Sequence, residues 1–213
     1  MSTPEKSKHA SWAYAEEHRA PDELVERARE VSADVGTDPI SDGTAAALTA
    51  FSAACGARSI VAIGLGAGLA GAALMRGAAA GAVLTGIDAD ADCVSATRQL
   101  LGSLGVTPSR TRLITGKAAA VLPRLTPKGY DLVFIDAAGE SAVEYVTQGL
   151  RLLHAGGTLI LNDALDTDRV PKPAVREAST QAMRRVEATL RDDDEVVTAM
   201  FSTGTGLLVA VKR

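Results

Sequence analysis

Five short apolar runs, each followed by a stretch of helical periodicity, constrain this chain more than any other feature. Ser59–Ile63 has the length and composition of a strand buried on both faces, and Val83–Ile87, Thr111–Ile114, Tyr130–Ile135 and Thr158–Leu161 read as further strands. After them, Leu69–Arg76, Ala91–Gly102, Ala118–Leu125, Ser141–Leu153 and Ala174–Arg191 read as helices. Strands that alternate with helices form crossover units, and these build a mostly parallel sheet covered on both faces. The expected fold is α/β, doubly wound and Rossmann-like. Two more helices are expected ahead of it, Asp22–Val35 and Thr44–Ala54, joined by a connection containing Pro39. The last segment breaks the alternation. Glu195–Ser202 and Leu207–Val211 are β-rich runs joined only by Thr203-Gly204-Thr205-Gly206, which predicts a C-terminal antiparallel hairpin.

A length of 213 residues and a hydrophobic content of 46% suit one domain, assigned to residues 21–213, with residues 1–20 expected as a flexible arm carrying Trp12 and Tyr14. A net charge of -4 gives no basic field for a phosphate backbone, so a small molecule is the expected partner rather than nucleic acid. The N-terminal residues lack the cationic start and apolar core of a secretory signal. The apolar stretch Ile63–Val83 is rich in Ala and Gly and is interrupted by Arg76, so no membrane span is expected and the cytoplasm is the expected location. Cys55 and Cys93 have neither disulfide nor metal spacing and should pack as reduced thiols.

The chemistry concentrates at the turn after the first strand, Gly64-Leu65-Gly66-Ala67-Gly68. Glycines there permit a tight turn and close approach of backbone to a ligand, and the helix that follows presents free N–H groups. The overlapping Gly66-Ala67-Gly68-Leu69-Ala70-Gly71 also fits the pattern of dinucleotide-binding turns, so this turn by itself leaves the ligand open. Asp88 ends the second strand, where doubly wound sheets place an acid for ribose hydroxyls. Asp90 and Asp92 read as the cap and first-turn charge of the next helix.

From about residue 36 onward, the segments VAIGLGAGLAG, LTGIDAD, RTRLITGKAAAVLPRL, YDLVFIDA and LLHAGGTLILND resemble the class I S-adenosylmethionine-dependent O-methyltransferases of the catechol and caffeoyl-CoA type, including a bacterial group. The resemblance implies a methyltransferase sheet closed by an antiparallel hairpin, S-adenosylmethionine as cofactor, a small hydroxylated acceptor, Mg²⁺ or another divalent cation, and a homodimer. It places Ile40, Gly64 and Leu65 around the methionine and ribose parts of the cofactor, Ala70 at the carboxylate end, Asp88 on the ribose and Ala118 beside the adenine. Gly66, Gly68 and Ala89 complete that pocket. Asp136 is implied beside the transferable methyl, as catalytic group and metal ligand, with Asn162 and Asp163 as the other metal ligands.

The chain also departs from the family. Ala62 stands in the cofactor set where an acidic residue is usual, Ala138 and Gly139 replace an Asp and a catalytic Lys, and the metal pair runs Asn-Asp instead of Asp-Asn. Neighbouring residues on a strand face opposite ways, so that exchange swaps the two side chains' directions. Two other readings stay open on the sequence: a protein that binds the cofactor but catalyses weakly or not at all, and an NAD(P)-dependent oxidoreductase.

Overall fold

The computed structural model describes residues 4–137 and 139–213. Among these, seven strands form one sheet in the order β3-β2-β1-β4-β5-β7-β6. The strands are β1 (Ser59–Ile63), β2 (Val83–Asp88), β3 (Thr111–Thr115), β4 (Tyr130–Ile135), β5 (Leu153–Leu161), β6 (Val196–Phe201) and β7 (Leu207–Lys212). β1 to β5 pair in parallel, whereas β7 lies antiparallel between β5 and β6. The expected mostly parallel sheet with its terminal hairpin is the observed one.

Alternation along the strands divides the core into two layers. Ile60, Ala62, Leu132, Phe134 and Ile160 face one way and pack against α2 (Glu23–Val35), α3 (Asp42–Ala54), α4 (Leu69–Gly77) and α5 (Ala91–Ser103). Val61, Ile63, Val133, Ile135 and Leu159 face the other way, against α6 (Ala118–Val121), α7 (Glu140–Leu152) and α8 (Ala178–Arg191). Every one of these ten strand side chains is buried, which explains why the strands read as unbroken apolar runs.

Three helices differ from their sequence expectation. The run expected as one helix over Ala118–Leu125 becomes α6 followed by a single 3₁₀ turn at Leu122–Arg124, because Pro123 has no N–H to continue an α-helical ladder. The last helix begins at Ala178, not Ala174. Pro171 and Pro173 precede it, and the loop is organised around buried Asp166, whose carboxylate accepts hydrogen bonds from Thr180, Ser179 and Arg169.

The third is α1 (Pro4–Glu16), for which the sequence offered no element. Trp12 Nε1 donates to the Ser202 carbonyl at 2.8 Å. Glu16 reaches the tip of the β6–β7 hairpin: its Oε1 accepts from the backbone N–H of Gly204 at 2.6 Å and from the Thr203 hydroxyl at 2.5 Å, and its Oε2 from Gly43 N–H at 3.2 Å. Burial pushes the Glu16 carboxyl up, but the bonds from Thr203, Ser41, Gly204 and Gly43 outweigh it and hold the group below the ordinary carboxylate range. One ionised side chain thus joins α1, the start of α3 and the hairpin.

Candidate active site

The carboxyl ends of β1, β2 and β4 meet at the Gly turn, and backbone bonds hold them there. Gly64 N–H donates to Ile87 O at 3.0 Å, and Asp136 N–H donates to Ile63 O at 2.8 Å. Gly64 has φ +78°, and a Cβ built on it would sit 2.1 Å from the carbonyl oxygen of Asp136. Glycine is therefore required twice at this position, by the left-handed backbone and by the neighbouring strand end. Gly68 is similarly confined, with φ +95° and a hypothetical Cβ 2.8 Å from Thr97 Cα on α5.

Asp88 braces this turn. Its Oδ2 accepts from Leu65 N–H at 2.7 Å and its Oδ1 from Asp90 N–H at 2.9 Å. Asp90 then caps α5 through Asp92 N–H at 2.8 Å, as expected for it. Each Asp88 oxygen keeps accepting capacity beyond its single backbone bond.

Gly64, Asp88, Ala89, Ala118 and Asp136 share one cavity of about 360 Å³. Other residues of the expected set lie behind or beside it. Ala62 is fully buried in the layer against α3 and α4, Leu65 and Ala70 are buried within that same layer, and Ile40 packs partly against it just before the Ser41 cap of α3. Gly66 and Gly68 shape the turn through φ +49° and +95°. Ala138, where the family has an acid, lies outside the described residues, and Gly139 is the N-cap of α7.

Asp136 is the most perturbed group of the cavity. Burial raises its pKa first of all; a hydrogen bond from Asn162 lowers it, and the charges of Asp163 and Asp88 raise it again, for a net upward shift. The bond runs from Asn162 Nδ2 to Asp136 Oδ1 at 3.0 Å. Asp163 turns the other way. It has φ +54° and accepts from Thr167 N–H at 3.2 Å and from the Thr205 side chain.

That geometry bears on the implied cation. A hard divalent ion takes six or more oxygens, with carboxylates as the anchoring donors. Here the Asn162 amide directs a donor at Asp136, and Asp163 is engaged by its own loop and the hairpin. Among the described residues, no three His, Cys, Asp or Glu side chains gather into a metal-holding group.

His154 lies at the start of β5. Its ring spans Asp131 Oδ1 at 2.8 Å and Ala155 O at 2.7 Å, both of which only accept, so the doubly protonated imidazolium is favoured and its pKa is raised. Asp131 sits at the opening of β4, the end of the sheet away from the Gly turn, which removes His154 from the site.

The same cavity is lined by residues the sequence reading did not single out, Ser141, Glu144 and Tyr145 of α7. Their spacing of three and four residues puts them on one helix face, the only sequence signal that could have grouped them.

A doubly wound sheet with a Gly turn braced by an acid, closed by an inserted antiparallel strand, defines the methyltransferase class of Rossmann-like folds. Residues 12–213 match the O-methyltransferase family, and the chain belongs to it. A Mycobacterium ulcerans protein named as an O-methyltransferase is 35% identical over 200 residues, covering 94% of this chain and 89% of the relative. A crystal structure from Corynebacterium glutamicum superposes with TM-score 0.87 at 29% identity, covering 97% of each chain. The O-methyltransferase TomG of Streptomyces achromogenes, solved in complex with SAM, has the same fold at TM-score 0.84 and 22% identity, covering 100% of this chain and 99% of its own. Family membership sets aside the oxidoreductase reading of the Gly turn. No helix among the described residues is long and apolar enough to cross a membrane.

Proposed function

We propose that this chain transfers the methyl group of S-adenosylmethionine to a hydroxyl oxygen of a small acceptor bound beside Asp136. The observation that carries this reading is the brace of Asp88 on the Gly turn, in one cavity with Asp136. In the TomG complex the same fold holds SAM. In this chain Asp88 would take the ribose hydroxyls, and Gly64 and Leu65 would bring backbone against the methionine part, with Ile40, Gly66, Gly68 and Ala70 shaping the approach and Ala118 flanking the base.

Transfer then needs little beyond position and one proton acceptor, because the sulfonium is already activated. An oxygen lone pair of the acceptor forms the C–O bond as the C–S bond breaks and its electron pair returns to sulfur. The hydroxyl proton passes to the Asp136 carboxylate. A carboxyl with a raised pKa is a stronger base once ionised than an ordinary surface aspartate, which suits it to this step. No step requires a cation.

Calorimetric titration tests the reading. S-adenosylhomocysteine is expected to bind and NAD not to bind; the reverse outcome overturns the reading. Asp88→Ala should weaken S-adenosylhomocysteine by about 10- to 100-fold, the range for a lost hydrogen-bonding carboxylate. Acceptor turnover is expected to be equal in EDTA and in Mg²⁺; a strict Mg²⁺ requirement would restore Asp136, Asn162 and Asp163 as a metal site.

The working form in this reading is a homodimer. Val197, Met200 and Phe201 on edge strand β6, together with Trp12, leave large apolar side chains exposed on one flank.

A further inference from the structure

Ser141, Glu144 and Tyr145 contribute a wall to the cavity that also contains Asp88, Ala89 and Lys117. Tyr145 is half-buried and packs against the second core layer, which gives it a fixed footing. Glu144 has no protein partner among the described residues. The ion pair that ties α7 to α8 uses Glu140, which accepts from Arg185 at 2.6 Å, so the fold does not employ the Glu144 carboxylate.

We propose that Glu144 reads the base of the cofactor by accepting an N–H of the exocyclic amine of adenine, with Tyr145 as the surface on which the ring stacks. The inference rests on the S-adenosylmethionine reading above. With the ribose on Asp88 and the methionine part along the Gly turn, the remaining space of the cavity lies between the Gly116–Ala119 segment and α7. An adenine brings to that space a flat π face and an edge that combines an amino donor with ring-nitrogen acceptors.

The two charged side chains on this part of the cavity differ in what they can do. A carboxylate only accepts, whereas the Lys117 ammonium only donates. The amine is therefore directed to Glu144 and the ring nitrogens toward Lys117. A base with a carbonyl at that position would set oxygen against carboxylate, so the arrangement selects adenine over hypoxanthine or guanine. Tyr145 adds ring contact that is indifferent to the amine.

Calorimetry on the full chain, with S-adenosylhomocysteine and with its purine analogue lacking the 6-amino group, separates these roles. The parent protein is expected to prefer S-adenosylhomocysteine by about tenfold, the effect of one hydrogen bond to a charged acceptor. Glu144→Ala should bind S-adenosylhomocysteine about tenfold more weakly and lose the preference, with an unchanged thermal midpoint. Tyr145→Leu should weaken both ligands alike. A preference that persists in Glu144→Ala, or that is missing in the parent, overturns the role of Glu144. Failure of the parent to bind either ligand overturns the donor reading itself.

Discussion

Asp136→Asn is expected to lower kcat by at least about 10²-fold, the lower end of what a positioned general base contributes, and to raise the thermal midpoint at neutral pH. The two effects have one cause. Burial and the charges of Asp163 and Asp88 work against the ionised carboxylate that the proposed proton transfer requires. Asparagine keeps an oxygen to accept the Asn162 N–H but carries no charge to desolvate. A gain on the scale of ~1 kcal/mol corresponds to roughly 2–4 °C in a chain of this size. Loss of turnover together with a lowered midpoint would show that Asp136 supports the fold rather than the reaction.

The pH dependence follows with the same sign. Since the folded-state pKa of Asp136 lies above its unfolded value, the folded chain binds that proton more tightly. Its favourable contribution is fully present below the ordinary carboxylate range and is lost as pH rises through the raised folded value. Turnover should run the opposite way, rising with pH through that same value as the base ionises. In Asp136→Asn this component should vanish from the stability profile.

The parallel core was legible because each central strand is buried on both faces and so carries its signal in five or six consecutive residues. Asp88 was legible for a related reason: a strand that ends on an acid at the first crossover point leaves few places for its carboxylate. Other features depended on distance in the chain. Glu16 bonds to Thr203 and Gly204, 187 and 188 residues away, so nothing near residue 16 announces that α1 will dock. Glu144 and Tyr145 depend on how α7 rotates against the sheet, a property of packing with β4 and α8. The exchange of Asn162 and Asp163 could be stated from sequence as a change of facing. The structure adds what fills each direction: Asp136 on one side, and Thr167 of the following loop with Thr205 of the hairpin on the other.

Gly64→Ala should be the most damaging single methyl group added to this chain. Its Cβ would lie 2.1 Å from the Asp136 carbonyl oxygen, and the backbone already stands at φ +78°. Neither side can give way cheaply, because Asp136 N–H is bonded to Ile63 O and Gly64 N–H to Ile87 O, which locks β1 between β4 and β2. The left-handed penalty of about 1–2 kcal/mol then adds to an overpacking cost of similar or larger size, about 3–5 kcal/mol together. That predicts a fall of roughly 10 °C in thermal midpoint, with loss of S-adenosylhomocysteine binding as the turn moves off Asp88. Gly36→Ala supplies the control. Gly36 has a comparable φ of +67° with open space around its hypothetical Cβ, so only the backbone penalty applies there. Equal losses in the two variants would mean that the close approach of β4 to the turn contributes nothing, and that Gly64 serves conformation alone.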